Sequence, residues 1–211
     1  NSANSFFVIT FAALVGLVWF WMSKRKIEPN TVVKFGLGFL FLAGGFYVFY
    51  YTKFFADANG VTSLDLFTFG WFIITFGELC LSPIGLSLVG KLAPKRFASL
   101  LYGVFFISNA AGYALAGSLG AIIPATGDKF AKAEKLGINL QDVLDKKITL
   151  TPEQVALFEK EQLPLENTSF AGFEIHNLYE FFMVFVVLCG IAAIILALLS
   201  PRLKKMMNGI T

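Results

Sequence analysis

The sequence predicts an all-α integral membrane protein with five transmembrane helices. Three observations carry that expectation. Hydrophobic residues make up 56% of the 211-residue chain and aromatic residues 16%, with mean hydropathy +0.71, above the 45–50% apolar content usual for soluble domains. The excess falls in five long uninterrupted runs. Those runs are continuous rather than alternating, which argues for helices and against a β-barrel. In lipid a backbone must satisfy its own hydrogen bonds, and a helix of about 20 residues does so across a core of about 30 Å.

The first expected span covers about Ser5–Met22 and ends in the basic segment SKRKIEPNTVVK. A second follows over about Val33–Tyr51. The polar stretch TKFFADANGVTSLD then leads to a third over about Leu64–Leu88. The segment GKLAPKRF connects it to a fourth over about Leu100–Ile123, and a fifth covers about Leu178–Leu199, followed by SPRLKKMMNG. The segments after the first, third and fifth spans are short and basic, with Lys24, Arg25, Lys26 and Lys34, then Lys91, Lys95 and Arg96, then Arg202, Lys204 and Lys205. Alternation puts all three on one side, and the positive-inside rule assigns that side to the cytoplasm together with the C-terminus. Trp19, Trp21, Tyr50 and Tyr51 lie near span ends, where amphipathic rings form an interfacial belt.

The stretch from Gly127 to His176 holds six Lys and nine acidic residues, and is long for a structureless connection. TPEQVALFEK reads as a short helix with Thr151 at the N-cap and Pro152 at the first helical position. DKFAKAEKLG reads as another, stopped at Gly137. The organisation expected is therefore residues 1–123 as four membrane helices, 124–176 as an extracytoplasmic loop of short helices, and 177–211 as the last span with a cytoplasmic tail.

Several function classes find no support. Cys80 and Cys189 both sit in apolar runs, with no metal-binding spacing and no disulfide framework. The motifs of serine hydrolases, zinc proteases and phosphate-binding loops are absent, so no enzyme, no metal and no cofactor is expected. Basic residues cluster at membrane edges rather than on a nucleic-acid-binding face. His176, the single histidine, is expected as a solvated residue at the edge of the last span. Glu180 is expected to point outward or to cap that helix.

The chemistry concentrates in FGELCLSPIGLSLVGKLAP, Phe76 to Pro94. Glu78 places a carboxyl group inside a span, at a cost of roughly 2.5–3.5 kcal/mol on insertion scales. It is tolerated when it faces a polar cavity, meets a cation, or packs in its neutral form. Thr75, Glu78, Ser82 and Gly85 follow helical spacing along one face. Pro83 removes a backbone donor and frees the carbonyl of Leu79, making a bend cheap. The fourth span carries a second stripe, Phe105, Ser108, Gly112 and Ala116, which plain packing of small residues would also produce.

The segment GELCLSPIGLSLVGKLAP resembles the tenth helix of proton-coupled oligopeptide transporters, within the major facilitator superfamily. SLLYGVFFISNAAGYALAG is similar to the eleventh helix, PNTVVKFGLGFLFLAGGF to the start of the ninth, and NSANSFF to the entry of the eighth. The resemblance implies the C-terminal part of a twelve-helix fold, helices eight to twelve, acting with missing N-terminal helices of the same transporter. It implies proton-coupled symport of di- and tripeptides across the cell membrane, with the proton as coupling ion. By the same resemblance Glu78 would bind the peptide amino terminus, Asn4 a peptide amide, Ser82 would be a polar cavity position, and Phe105 would stand where the family has a cavity-lining Trp. The chain departs from the family pattern at Asn1, Ser5 and Phe105, which bears on side-chain preference. Two alternatives stay open: a relative moving nitrate or another small solute, for which Glu78 has the wrong charge, and a non-transporting five-helix scaffold. The start at Asn1, directly before an apolar run, reads as the middle of something larger.

Overall fold

The computed structural model describes residues 2–55 and 62–206. Asn1, part of the polar stretch after the second span, and the last five residues of the tail lie outside them. The five long helices are α1 (Ser2–Lys24), α2 (Thr31–Tyr51), α3 (Leu64–Leu92), α4 (Ala98–Gly120) and, after three short helices, α8 (Leu178–Met206). All five are long and apolar enough to cross a membrane.

Local signals set the helix ends. The side chain of Asn30 caps α2 by accepting from the Val33 N–H, and that of Ser63 caps α3 by accepting from the Asp65 N–H. Each satisfies a donor left over at a helix start. Several ends differ from expectation; α3 runs to Leu92 rather than Leu88. The fourth span stops at Gly120, so Ile123 lies beyond it. The last helix runs on through Pro201 to Met206, so part of the basic tail is helical. α3 is likewise continuous through Pro83.

The chain divides into two compact units, Asn1–Gly112 with Phe182–Thr211, and Tyr113–Phe181. In the first, α3 is the centre, packed on α1 and α2. The α2–α3 crossing is close because it is built from glycines. A β-carbon on Gly77 would lie 2.8 Å from the Gly38 carbonyl oxygen, and one on Gly45 would lie 3.0 Å from that of Gly70. Small residues let membrane helices approach where apolar burial gives no drive. Phe46 of α2 stacks on Phe185 of α8 at 5.0 Å between ring centroids. The Tyr102 hydroxyl of α4 sits over Gly90 of α3.

The second unit contains α5 (Gly127–Lys135), α6 (Leu140–Leu144), α7 (Pro152–Lys160) and a hairpin of β1 (Thr168–Phe170) and β2 (Phe173–Ile175). Its core is Ala133, Leu140, Val143, Leu144, Phe158 and Leu163, with Phe158 fully buried. α7 carries the expected cap as a full capping box, Thr151 with Gln154. Gly137 ends α5 with φ of 73°. The hairpin was not expected from the helical reading of this segment. Its turn, Ala171–Gly172, has positive φ at both residues, 51° and 86°, the geometry that matches strand twist in a two-residue turn.

Candidate functional site

The first turn of α1 and the middle of α3 meet at a polar cluster. The amide nitrogen of Asn4 (Nδ2) donates to Glu78 Oε2 at 3.0 Å. The Thr75 hydroxyl lies 2.9 Å from Asn4 Oδ1 and 2.9 Å from the Trp71 carbonyl; one O–H donates to one of them at a time. Thr75 is fully buried, and Asn4 and Glu78 are half-buried. Thr75 and Glu78 are three apart on α3 and so project to one face.

Aromatic rings flank this cluster. Phe7 and Phe11 of α1 meet Phe72 edge-on at 5.5 and 5.2 Å, and Phe11 also meets Phe76 at 5.7 Å. Such pairs hold α1 against α3 through shape rather than hydrogen bonding. Asn4 therefore reaches Glu78 from a packed interface. Among the described residues, no Lys, Arg or His forms an ion pair with Glu78. A carboxyl group in a span, bonded by a neutral amide, is an uncommon arrangement that intramembrane carboxyl groups adopt mainly at interfaces or cavities.

One turn along α3, a second feature opens. Ser82, Gly85, Phe105 and Asn109, with Phe35 and Phe39, line a cavity of about 400 Å³. Gly85 is buried, and a β-carbon there would touch the rings of Phe35 and Phe105, so the glycine makes room for them. The predicted residues thus fall into two neighbouring groups: Asn4 with Glu78, and Ser82 with Phe105. Thr75, a member of the α3 stripe, contacts Asn4, a link the sequence reading did not make. Asn109 was missed. Ser108 seemed the polar member of the α4 stripe, but its hydroxyl donates to the Phe105 carbonyl of its own helix at 2.7 Å, and the cavity is lined by Asn109 instead. The usable signal was that Asn109 is four residues after Phe105 and so shares its face.

Two other charged groups are structural. Lys34, buried near the start of α2, pairs with Glu28 and lies 5.0 Å from the Trp19 ring centroid. The hydrogen bond from Lys34 holds the Glu28 carboxyl below its ordinary titration range. At the start of α8, Glu180 accepts from the His176 N–H at 2.8 Å and from Asn177 Nδ2 at 2.9 Å, while its own N–H donates to Asn177 Oδ1 at 3.0 Å. Glu180 is thus a cap. His176 is half exposed, between Glu174 and Glu180. Cys80 and Cys189 are free thiols. Among the described residues no group of three or more His, Cys, Asp or Glu is placed to hold a metal ion.

Comparison with known proteins gives these features a setting. The sequence model of the POT family matches residues 1–135. The chain is 35% identical over 128 residues to peptide transporter YePEPT of Yersinia enterocolitica, covering 59% of this chain and 25% of that protein. It is 27% identical over 131 residues to dipeptide and tripeptide permease A of Edwardsiella piscicida, covering 62% of this chain and 26% of that one. Among solved structures, the crystal structure of peptide transporter POT in complex with sulfate superposes with a TM-score of 0.63 at 24% identity, covering 99% of this chain and 32% of that one. The fold is that of these transporters, and the chain spans about a quarter of the length of the curated relatives it matches.

Proposed function

The chain belongs to the POT family, a family of transporters rather than enzymes, and from that premise we propose that it forms part of the substrate site of a peptide transporter. The observation that carries this reading is the Asn4–Glu78 pair. A carboxyl group held at mid-span by a neutral amide, with no cation of its own, suits the ammonium of a peptide. At low effective dielectric such an attraction is far larger than in water. The Asn4 amide offers both donor and acceptor to a peptide bond. Ser82 supplies a hydroxyl, and Phe105 an apolar wall, to the side of the ligand.

In this reading the transporter is a proton-coupled symporter of di- and tripeptides that works by alternating access. The chain supplies helices eight to twelve, with α1 the eighth and α8 the last, and the rest of the pathway comes from N-terminal helices of the same protein. The segment 124–176 is extracytoplasmic, and the basic ends of α1, α3 and α8 with the C-terminus are cytoplasmic. Single cysteines introduced at Ala156 and Lys204, with Cys80 and Cys189 replaced by Ala, test this with a membrane-impermeant thiol reagent in intact cells. Labelling at 156 alone is expected; labelling at 204 alone would invert the orientation.

The decisive experiment for the site is peptide uptake by the full-length transporter with Glu78→Gln and Glu78→Ala. Loss of uptake of a free-amine dipeptide is expected in both. Unchanged uptake by Glu78→Ala would remove Glu78 from the site. Inhibition by nitrate but not by dipeptides would favour the other solute class.

A further inference from the structure

The second unit carries its own cleft. It holds about 340 Å³ and is lined by Pro124, Lys129, Leu144, Gln162, Glu166 and Thr168, among others. That volume falls in the range of small-ligand pockets, and the walls mix apolar surface with a few convergent polar groups.

Its frame is fixed. Thr168 Oγ1 donates to the Ile122 carbonyl at 2.8 Å, and Asn167 Nδ2 donates to the Leu144 carbonyl at 3.3 Å. Pro124 is buried in the wall. These ties hold the segment carrying Glu166 in place opposite the start of α5, which carries Lys129. The two side chains share the cleft with opposite charge, yet neither forms an ion pair with any described residue. The neighbouring Asp128 carboxyl accepts from the Thr126 hydroxyl and also feels the Lys129 charge, without forming an ion pair with it. A cation and an exposed anion that line one cleft, neither in an ion pair, are both open to a ligand that bears a charge of each sign.

Gln162 adds an independent observation. It follows α7 with φ of 55°, where the chain turns left-handed. After α5 the corresponding turn is made by Gly137, at φ of 73°. In both turns the residue after the left-handed one donates back into the helix: Leu163 to the Phe158 carbonyl at 2.8 Å, Ile138 to the Ala133 carbonyl at 3.1 Å. A non-glycine residue is disfavoured at such a position, as at Lys26, Lys146 and Ala171. The chain keeps a long amide side chain there, on the rim of the cleft.

We propose that this cleft is a second binding site for a zwitterionic short peptide, with Lys129 meeting the carboxylate and Glu166 the ammonium. The ligand class rests on the peptide-transport reading; the cleft and its charges do not. A zwitterionic dipeptide carries one charge of each sign at its two ends, so a single ligand can engage both Lys129 and Glu166. The site lies wholly within the second unit and uses none of the residues around Glu78.

The test uses the full-length transporter in lipid nanodiscs and a diazirine-bearing dialanine analogue as a photoaffinity probe. Labelling is expected within residues 121–168, competed by unlabelled dialanine and not by N-acetyl-dialanine amide. Lys129→Glu and Glu166→Lys are each expected to lower labelling about tenfold, as loss of one charge pair implies. The double variant, which exchanges the two charges, is expected to recover labelling, because a zwitterion binds in the reverse sense. That recovery separates recognition from damage to the fold. Labelling outside 121–168 only, equal competition by the blocked peptide, or indifference to both charge reversals would overturn the proposal. Glu78→Gln distinguishes the two readings: it should abolish uptake and leave labelling of the cleft unchanged. If it leaves uptake intact, the assignment of Glu78 fails while the cleft stands or falls on its own labelling.

Discussion

At the scale of single residues, the arrangement around Glu78 separates two contributions. In the proposed site Glu78 would meet the ammonium of the ligand, and Asn4 holds its carboxyl group by one hydrogen bond. Asn4→Ala should therefore raise the KM for dipeptide uptake more than it lowers kcat, because binding geometry is loosened while the carboxyl group remains. A hydrogen bond to a charged group contributes roughly 1.5–3 kcal/mol, so a KM rise of about tenfold or more is expected in initial-rate uptake. Glu28 gives a pH prediction. The Lys34 hydrogen bond lowers its folded value below the ordinary 4.5. A depressed carboxyl contributes stability that is complete above the ordinary value and is lost as pH falls through the lower, folded value. Acidification through the lowered folded value of Glu28 should release Lys34 from it and change the position of Lys34 over the Trp19 ring. In a variant with Trp19 as the single tryptophan, that appears as a fluorescence transition, and Glu28→Gln should abolish it.

Elements respond to packing and capping. Gly77 has no free space: a β-carbon there would meet the Gly38 carbonyl oxygen at 2.8 Å and the Leu42 side chain at 2.9 Å. Backbone does not give way as a flexible side chain does, so Gly77→Ala must push α2 from α3. Overpacking of this kind costs about 1–3 kcal/mol and should lower the thermal midpoint of the purified transporter. Gly112 has open space around it within this chain, so Gly112→Ala should lower the midpoint less than Gly77→Ala. In the second unit, Phe158 is fully buried in the core. Phe158→Ala should cost about 3–5 kcal/mol, and Thr151→Ala, which removes one half of the capping box, about 1 kcal/mol. Hydrogen exchange of residues 126–165 should rank the two variants in that order. The α7 cap was legible because it depends on neighbours in sequence. The β1–β2 hairpin was not: its strands are three residues each, too short for alternation to show, and its turn has Ala171 where a stronger signal would have a second glycine or Asn.

At the scale of the molecule, α4 has no buried residue among those described, and in α1 only Val15 is buried among them. Helices with this much open surface face lipid or further protein. If the proposed placement holds and further helices of the same protein complete the pathway, co-expression of this chain with those helices should restore dipeptide uptake that neither part supports alone. A five-helix scaffold would show no such complementation. The division into two units also has a reason. The long spans are held by glycine crossings and aromatic stacking, whereas Tyr113–Phe181 has a core of its own and short, capped helices.

The sequence by itself determined the five spans, the basic ends, the caps at Thr151 and Gly137, and Glu78 as the residue to explain. Each depends on composition or on spacing along one helix, and such quantities survive without knowledge of distant partners. Tertiary structure alone decided that Asn4 reaches Glu78 across 74 positions, that Asn109 rather than Ser108 lines the cavity beside Ser82 and Phe105, and that Lys129 and Glu166 share a cleft. These are contacts between elements. They depend on which faces meet and on how closely the glycines of α2 and α3 let two backbones approach, and no periodicity within one element encodes that distance.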